Sequence, residues 1–288
     1  MKNLRAEIAP GFVWEDPEVG HVVACGDATD AKFLKDLIGI GNVELVVADP
    51  PYQLADVASR LTSLKTNSKE RRDRKDQHFE EKWDKVDDAQ MEELLQRLAS
   101  AAGRLAPHAN VWVWTSDWWL SDVKRALRSV GLKVWPTYVW AKSNPPHSIR
   151  KACVASACEF LVMSSGVGAP FYLDNLPKQR SWFVAAPDGE FFPVVCPWWV
   201  ERPVVHTVER LRREDGEFLN RAQKPLDVIE KLVRTGSTQG GLVMDLFGGT
   251  GTTLVAADRA KRVCYYVERD PEQVRAAARR LMEDRRKR

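Results

Sequence analysis

The clearest signal of the fold class lies between Leu242 and Glu268, where the sequence reads LVMDLFGGTGTTLVAADRAKRVCYYVE. Short apolar runs at Leu242–Leu246 and Val263–Val267 predict two strands, and Thr252–Ala260 between them predicts a helix. A strand, a helix and a second strand in this order are typical of a βαβ unit, in which the two strands lie parallel. The stretch therefore predicts a fold of the α/β class.

The same alternation of helix and strand continues on the N-terminal side of this stretch and beyond it. Further strands are predicted at Val43–Ala48, Asn110–Trp114, Lys133–Trp140 and Glu159–Met163, and helices at Ala31–Ile38, Met91–Leu105 and Asp117–Val130, from Pro225 and from Pro271. The run Val43–Ala48 is typical of a parallel strand that is buried on both faces. We therefore expect a doubly wound, mainly parallel sheet, which binds ligands at the carboxyl ends of its strands.

The 288 residues are interpreted as one domain, 1–288, that carries an insert. Its two halves, 21–165 and 221–288, show the alternating pattern. Between them, residues 166–220 lose this pattern and contain several Pro and Trp residues, which predicts an irregular insert. The polar, basic stretch Ser63–Glu81 has no apolar periodicity and predicts a loop.

Composition excludes several classes of protein. Apolar residues make up 44% of the chain and charged residues 29%, which is typical of a globular protein and too apolar for a disordered one. No apolar run approaches the roughly 18 residues of a membrane span, and no signal peptide opens the chain, so we expect a cytoplasmic protein without a membrane partner. The five Cys form no C-x-x-C pair and no clustered His accompanies them, so no metal site is expected.

Charge and aromatic content leave the partner open. A net charge of +3 neither indicates nor excludes nucleic acid, because electrostatic footprints are local. The basic run Arg285–Arg288 is interpreted as a solvated face or frayed tail. The eleven Trp are interpreted mainly as core residues, with a surface that stacks on bases as the alternative.

The Gly-rich segment Asp245–Thr253 lies where a strand turns into a helix. Glycines there let the backbone approach a ligand, and the start of a helix offers unpaired N–H groups. The segment matches neither the dinucleotide motif G-x-G-x-x-G nor a Walker A loop. Glu268, twenty-three positions after Asp245, ends the next strand and is placed to accept the ribose hydroxyls of an adenosine. A purely structural Gly-rich turn is the alternative.

The tetrapeptide Asp49-Pro50-Pro51-Tyr52 follows directly on the strand Val43–Ala48. The exocyclic amine of a nucleobase is a poor nucleophile, because its lone pair is delocalised into the ring. The Asp49 carboxylate and the Pro50 carbonyl can each accept one N–H and so stabilise the positive charge that develops in the transition state. Tyr52 offers a flat face on which a flipped base can stack. A Pro-Pro turn with a capping Asp is the alternative.

Taken together, these segments resemble the amino-group DNA methyltransferases, in the permuted order called the β class, where the catalytic motif precedes the cofactor motif. Three further segments carry the resemblance, which covers nearly the whole chain: Gly26-Asp27, Trp140–Pro146 with Glu159, and Gln223-Lys224-Pro225. The resemblance implies a class I methyltransferase fold, which is Rossmann-like, and S-adenosyl-L-methionine as the cofactor.

The resemblance also implies roles for individual residues. The catalytic residues are Asp49, Pro50, Pro51 and Tyr52. The cofactor-binding residues are Asp27, Ala28, Asp49, Lys224, Pro225, Asp245, Phe247, Gly248, Gly249, Gly251, Thr252, Thr253 and Glu268. Residues 166–220 are expected to recognise the target and the basic loop after Tyr52 to close over DNA, so the DNA contacts expected are Lys65, Lys69, Arg71, Arg72, Arg180, Trp198 and Arg202.

The activity implied is site-specific methylation of the N6 amino group of an adenine flipped out of double-stranded DNA. The two acceptors suit either amine, so a cytosine N4 enzyme stays open, although in this family an initial Asp favours adenine. An RNA adenine methyltransferase and a catalytically silent nucleic-acid-binding module stay open as well. A homodimer and a cognate restriction endonuclease are possible partners.

Overall fold

The structure is a computed structural model. It describes residues 8–38, 42–51, 87–105, 107–143, 158–172, 181–185, 191–195, 199–203, 211, 219–220 and 222–288. The helices are α1 Ala31–Ile38, α2 Asp88–Leu105, α3 Leu120–Ser129, α4 Leu226–Gly236, α5 Thr252–Arg259 and α6 Pro271–Lys287. The strands are β1 Val13–Glu15, β2 Val22–Cys25, β3 Val43–Ala48, β4 Asn110–Thr115, β5 Lys133–Val134, β6 Tyr138–Lys142, β7 Cys158–Ser165, β8 Ser181–Ala185, β9 Phe191–Val195, β10 Trp199–Arg202, β11 Leu242–Asp245 and β12 Val263–Glu268.

One large sheet organises the described residues, in the order β1-β2-β12-β11-β3-β4-β7-β6-β10. The five strands from β2 to β4 pair in parallel. On one side, β7 pairs antiparallel with both β4 and β6, and on the other, β1 pairs antiparallel with β2. The prediction of a doubly wound, mainly parallel α/β sheet is confirmed.

The chain reverses its winding direction between β11 and β3, which are neighbours in the sheet. From β11, helix α5 leads to β12 on one side, whereas from β3, helix α2 leads to β4 on the other. The connections diverge at this point and leave a crevice beyond the carboxyl ends of the two strands, where doubly wound sheets bind their ligands.

Tryptophan serves mainly the core, as the composition predicts. Trp112 and Trp114 of β4 and Trp140 of β6 are fully buried, because β4 is covered on both faces of the sheet. Among the described residues, Trp118 is the Trp that stands out as exposed, at 57%. These three Trp side chains therefore fill much of the core around β4 and β6.

Two predictions about strands were wrong. The single strand predicted over Lys133–Trp140 is interrupted into β5 and β6, because Pro136 in the gap has no N–H to donate to a ladder. The insert 166–220 is more regular than its pattern predicts, since β8 and β9 form an antiparallel hairpin and β10 pairs in parallel with β6. This last pairing depends on a distant strand and leaves no local signal in the sequence.

The basic C-terminal run is not frayed. Arg286, Lys287 and Arg288 are exposed, as a solvated face predicts, whereas Arg285 has contacts that the sequence interpretation did not include. Helix α6 continues to Lys287, and the guanidinium of Arg285 lies 2.7 Å from the Asp16 carboxylate and 2.6 Å from that of Asp258. The buried His21 ring also contacts Asp258, at 3.0 Å. Arg285 joins α6 to the first hairpin because it compensates two buried carboxylates. None of the helices in the described segments has the length and apolar character of a membrane span.

Candidate active site at the carboxyl edge of the sheet

Three predicted carboxylates lie at the ends of neighbouring strands: Asp49 directly follows β3, Asp245 ends β11 and Glu268 ends β12. A cleft of about 390 Å³, including its open mouth, lies over the β3–β11 switch point. The predicted residues that line it are Asp49, Lys224, Asp245, Phe247, Gly248, Gly249, Thr252 and Thr253. The structure thus brings eight of the sixteen predicted catalytic and cofactor residues to one cleft, Asp49 among them.

The Gly-rich loop is shaped by close packing against the strand and helix beneath it. A Cβ on Gly248 would lie 2.0 Å from the ring of Tyr266, whose hydroxyl donates a hydrogen bond of 2.6 Å to the Gly249 carbonyl. Gly251 has a φ of +78°, and a Cβ there would lie 2.6 Å from the Cβ of Ala277. Both positions therefore require glycine, because a side chain would collide with the strand or helix on which the loop packs.

Glu268 fixes the same loop from the next strand. Its carboxylate accepts the N–H of Gly249 at 3.0 Å and that of Asp270 at 2.9 Å, and its backbone carbonyl accepts the N–H of Gly26 at 3.0 Å. Burial raises the pKa of Glu268, although these backbone N–H groups act in the opposite direction. Glu268, Asp27 and Ala28 do not line the cleft itself. Glu268 lies beside its Gly-rich wall through the bond to Gly249, and the bond from Gly26 brings Asp27 and Ala28 close to Glu268.

Asp245 is a carboxylate buried in the floor of the cleft, 3% exposed. Burial raises its pKa to about 7, even though the Thr253 hydroxyl and the Phe247 N–H donate to it and lower it. The charges of Asp49 and Glu268 raise it further. A buried carboxylate of this kind favours a cationic ligand, because such a ligand would compensate its charge.

Lys224 joins the end of β3 to the C-terminal half of the chain. Its ammonium lies 2.5 Å from the Asp49 carboxylate and 3.1 Å from that of Glu159, and the other Glu159 oxygen lies 2.8 Å from the ammonium of Lys142. Burial lowers the pKa of Lys224, but the charges of Asp49 and Glu159 outweigh this effect and raise it above its ordinary value. Lys224 is therefore a cation at the pH of the cell.

The remaining predicted residues lie around this cleft or outside the described residues. Pro50 is buried and Pro51 half-buried directly after Asp49, and the buried Pro225 is the N-cap of α4. Arg202, predicted to contact DNA, lies at the end of β10 and forms an ion pair of 2.7 Å with Asp227. Tyr52, Lys65, Lys69, Arg71, Arg72, Arg180 and Trp198 lie outside the described residues.

Several residues of the site were not predicted from the sequence. The cleft is also lined by Val47, Trp114, Asn220, Ala222, Gln223, Ile229 and Thr250. Glu159 and Lys142 had no assigned role, yet each is a charged residue in an otherwise apolar strand and each is buried against the other. Charged residues in such strands are rare unless they are paired, and this is the signal that could have identified them.

Comparison with solved structures identifies the class of fold. The PvuII DNA methyltransferase, described as cytosine-N4-specific, matches with a TM-score of 0.60 and 15% identity over 92% of this chain and 90% of its own. The complex of M1.HpyAVI with SAM matches with a TM-score of 0.55 and 20% identity over 89% and 96% of the two chains. The sheet order and the cleft at its switch point are those of a class I, Rossmann-like methyltransferase.

Comparison of sequences identifies the family. The pattern of the DNA methylase family, which comprises N6 and N4 amino-methyltransferases, matches residues 43–279. The Type II methyltransferase M2.DpnII of Streptococcus pneumoniae is 22% identical over 245 residues, which cover 83% of this chain and 82% of that protein. The chain belongs to the DNA methylase family and is an amino-group DNA methyltransferase. This family depends on S-adenosyl-L-methionine, which confirms the predicted cofactor.

Proposed function

We propose that the protein methylates the N6 amino group of adenine in double-stranded DNA, with Asp49 as the acceptor that grips the amine. The observation that carries this proposal is the shared cleft: Asp49 at the tip of β3 borders the same space as the Gly-rich loop and Asp245. A base amine and a methyl donor held in this cleft would therefore face each other across the switch point.

The chemistry of the described residues fits S-adenosyl-L-methionine. The donor carries an ammonium, a sulfonium and ribose hydroxyls, and the cleft offers the buried Asp245 carboxylate and, beside it, the Glu268 carboxylate. Gly248 packs directly on the ring of Tyr266, so the backbone of the loop itself borders the cleft. When bound, the donor supplies an activated methyl group with a neutral thioether as its leaving group.

Asp49 acts on the amine rather than on the methyl group. The base amine loses its conjugation with the ring as it attacks, and it becomes cationic until a proton leaves. A carboxylate that accepts one N–H, together with the Pro50 carbonyl that accepts the other, stabilises this charge where it develops. The Gly-rich loop, Glu268 and Asp245 hold and orient the second reactant, so that positioning supplies the rest of the rate enhancement.

Adenine is favoured by the initial Asp of the Asp49–Tyr52 motif. The cytosine-N4 specificity of the PvuII enzyme belongs to that protein, and at 15% identity the likeness concerns the fold alone. The predicted basic loop and the half-exposed Arg202 would supply phosphate contacts, whose weakening by salt would report their number. The relationship to a Type II methyltransferase supports action beside a restriction endonuclease.

The decisive experiment incubates the purified protein with unmethylated duplex DNA and labelled donor, digests the product and identifies the nucleosides by mass spectrometry. We expect the nucleoside N6-methyldeoxyadenosine. N4-methylcytosine would transfer the proposal to the other amine, and label in a competing RNA rather than in the duplex would overturn the choice of substrate. Mapping methylated positions in DNA from cells that express the chain would then define the recognised site.

A further inference from the structure

Four alternately charged side chains form a chain that ends at the catalytic carboxylate: Lys142, Glu159, Lys224 and Asp49. The contacts are 2.8 Å from Lys142 to Glu159, 3.1 Å from Glu159 to Lys224 and 2.5 Å from Lys224 to Asp49. The side chains of Lys142, Glu159 and Lys224 are 8%, 5% and 5% exposed, whereas that of Asp49 is 25% exposed. The charged chain is therefore largely shielded from solvent, and it borders the cleft at Lys224 and Asp49.

Two buried Trp rings hold this chain in place. The ammonium of Lys142 lies 5.6 Å from the ring centre of Trp140, and that of Lys224 lies 5.4 Å from that of Trp114. The two rings pack edge to face, with their centres 6.4 Å apart. Glu159 is also fixed by register, since it pairs with Trp140 across β6 and β7. One Glu159 oxygen thus contacts the ammonium of Lys142, and the other contacts that of Lys224.

The arrangement matters for the reaction because positive charge develops beside Asp49. Lys224 already places a cation 2.5 Å from this carboxylate, and the Asp49–Lys224 pair alone is neutral. A neutral pair offers a cationic amine little net attraction, and the ammonium already occupies one of the two oxygen atoms of Asp49. A second carboxylate on Lys224 removes this disadvantage, because it draws the ammonium toward itself and restores negative charge near Asp49.

We propose that Glu159 is a positioning residue that engages Lys224 and thereby leaves Asp49 able to grip the substrate amine. Lys142 holds the far oxygen of Glu159 and sets the direction from which it acts. The inference rests on the proposed function, since it concerns the charge that methyl transfer creates at Asp49. It assigns a role to the Lys142–Glu159 pair, which lies behind the cleft and touches neither reactant.

The test measures the single-turnover rate of methyl transfer to unmethylated bacterial genomic DNA at saturating donor, together with the Kd of the donor by calorimetry. Glu159→Gln keeps the shape of the side chain and leaves two cations against one carboxylate. We expect the rate to fall on the order of 10- to 100-fold, while the Kd changes by less than about threefold. The matched control is Glu283→Gln on the exposed face of α6, which should leave both quantities unchanged.

A second substitution separates charge from shape. Glu159→Asp keeps a carboxylate but shortens the side chain, so Lys224 keeps a second anionic partner nearby. The rate of Glu159→Asp should exceed that of Glu159→Gln by about tenfold or more. A purely structural role predicts the opposite, because Gln keeps the length of the side chain and Asp does not, and a Glu159→Asp variant slower than Glu159→Gln would overturn the inference.

Folding and the proposed function are controlled separately. Should Glu159→Gln not fold, Glu159→Asp decides by itself: a rate within about tenfold of wild type supports the inference, and a loss beyond about 100-fold with intact donor binding overturns it. An inactive wild-type protein on duplex DNA would contradict the proposed function. An active wild type with an equally active Glu159→Gln variant would contradict only the role of Glu159.

Discussion

The ammonium of Lys224 donates a hydrogen bond of 2.5 Å to the carboxylate of Asp49, although 175 positions separate the two residues in the chain. The contact joins the end of β3 to the segment that leads into α4. Because Lys224 also contacts Glu159, it keeps an anionic partner when Asp49 is replaced. The carboxylate that we propose as catalytic can therefore be removed without leaving a buried cation unpaired.

Asp49→Ala should abolish methyl transfer while the cofactor still binds. The substitution removes an acceptor that acts on the developing charge, so we expect a loss of at least on the order of 100- to 1,000-fold in the single-turnover rate. Calorimetry on the same preparation should give a Kd for the donor within about threefold of wild type. Lost affinity for the donor together with retained turnover would show that Asp49 serves the cofactor instead.

Glu268→Ala should weaken the cofactor first. The carboxylate lies beside the Gly-rich loop, so we expect the Kd of the donor to rise on the order of 10- to 100-fold, as for loss of hydrogen bonds to a charged group. The rate at saturating donor should fall far less. Glu272→Gln, an exposed position on α6, is the matched control. Unchanged affinity in Glu268→Ala would mean that the ribose contact is misplaced.

Cofactor binding should depend on pH through Asp245. Its pKa of about 7 lies above its ordinary value of 3.8, so the free folded protein holds the proton and releases it as the pH rises through about 7. A cationic ligand prefers the ionised form, so the donor should bind more tightly at about pH 8 than at about pH 6, with release of a proton on binding below about pH 7. Calorimetry in buffers of different ionisation enthalpy measures this proton.

Asp245→Asn is the control for that titration, because it removes the ionisable group and keeps the shape. The variant should bind the donor more weakly and lose the component of pH dependence that Asp245 contributes. The same linkage has the opposite effect on the free protein: its stability is greatest while Asp245 is protonated in both states and decreases as the pH rises from about 4 toward 7. Identical pH profiles in the two proteins would contradict the assignment.

Arg285→Ala should destabilise the fold by about 3 kcal/mol, because it leaves the buried carboxylates of Asp16 and Asp258 without their shared cation. Lys287→Ala, an exposed position in the same turn of α6, should change the free energy of unfolding by less than about 0.5 kcal/mol. Denaturant titration followed by circular dichroism measures both. Equal effects of the two substitutions would show that Arg285, like Lys287, is a solvated residue without a structural role.

The stabilisation by Arg285 should itself depend on pH. Although burial raises both, the pKa values of Asp16 and Asp258 lie below the ordinary value of 3.8. Arg285 lowers that of Asp16, and hydrogen bonds from His21, Arg285 and Arg288 lower that of Asp258. Both carboxylates therefore contribute stability above about pH 4, and this contribution is lost as the pH falls through their lowered values. The difference in stability between wild type and Arg285→Ala should shrink accordingly in acid.

Much of the fold could be predicted because its signals are local. The runs at Val43–Ala48 and Asn110–Thr115 are apolar over most of their length, since parallel strands are covered on both faces. The Gly-rich segment after Asp245 is equally local, because a strand must turn into a helix within a few residues there. The prediction failed at two places for different reasons. At Pro136 a local signal was overlooked, since proline cannot donate to a ladder, whereas β10 pairs with β6, which lies elsewhere in the chain.

The α/β class and the positions of the two motifs could be predicted from the sequence, because both are encoded in short segments of neighbouring residues. The partners of the buried charges could be seen only in the tertiary structure. Lys224 lies between Asp49 and Glu159, and Arg285 between Asp16 and Asp258. Such contacts follow from strand order and helix packing, and a buried charge takes whichever partner the fold brings within reach.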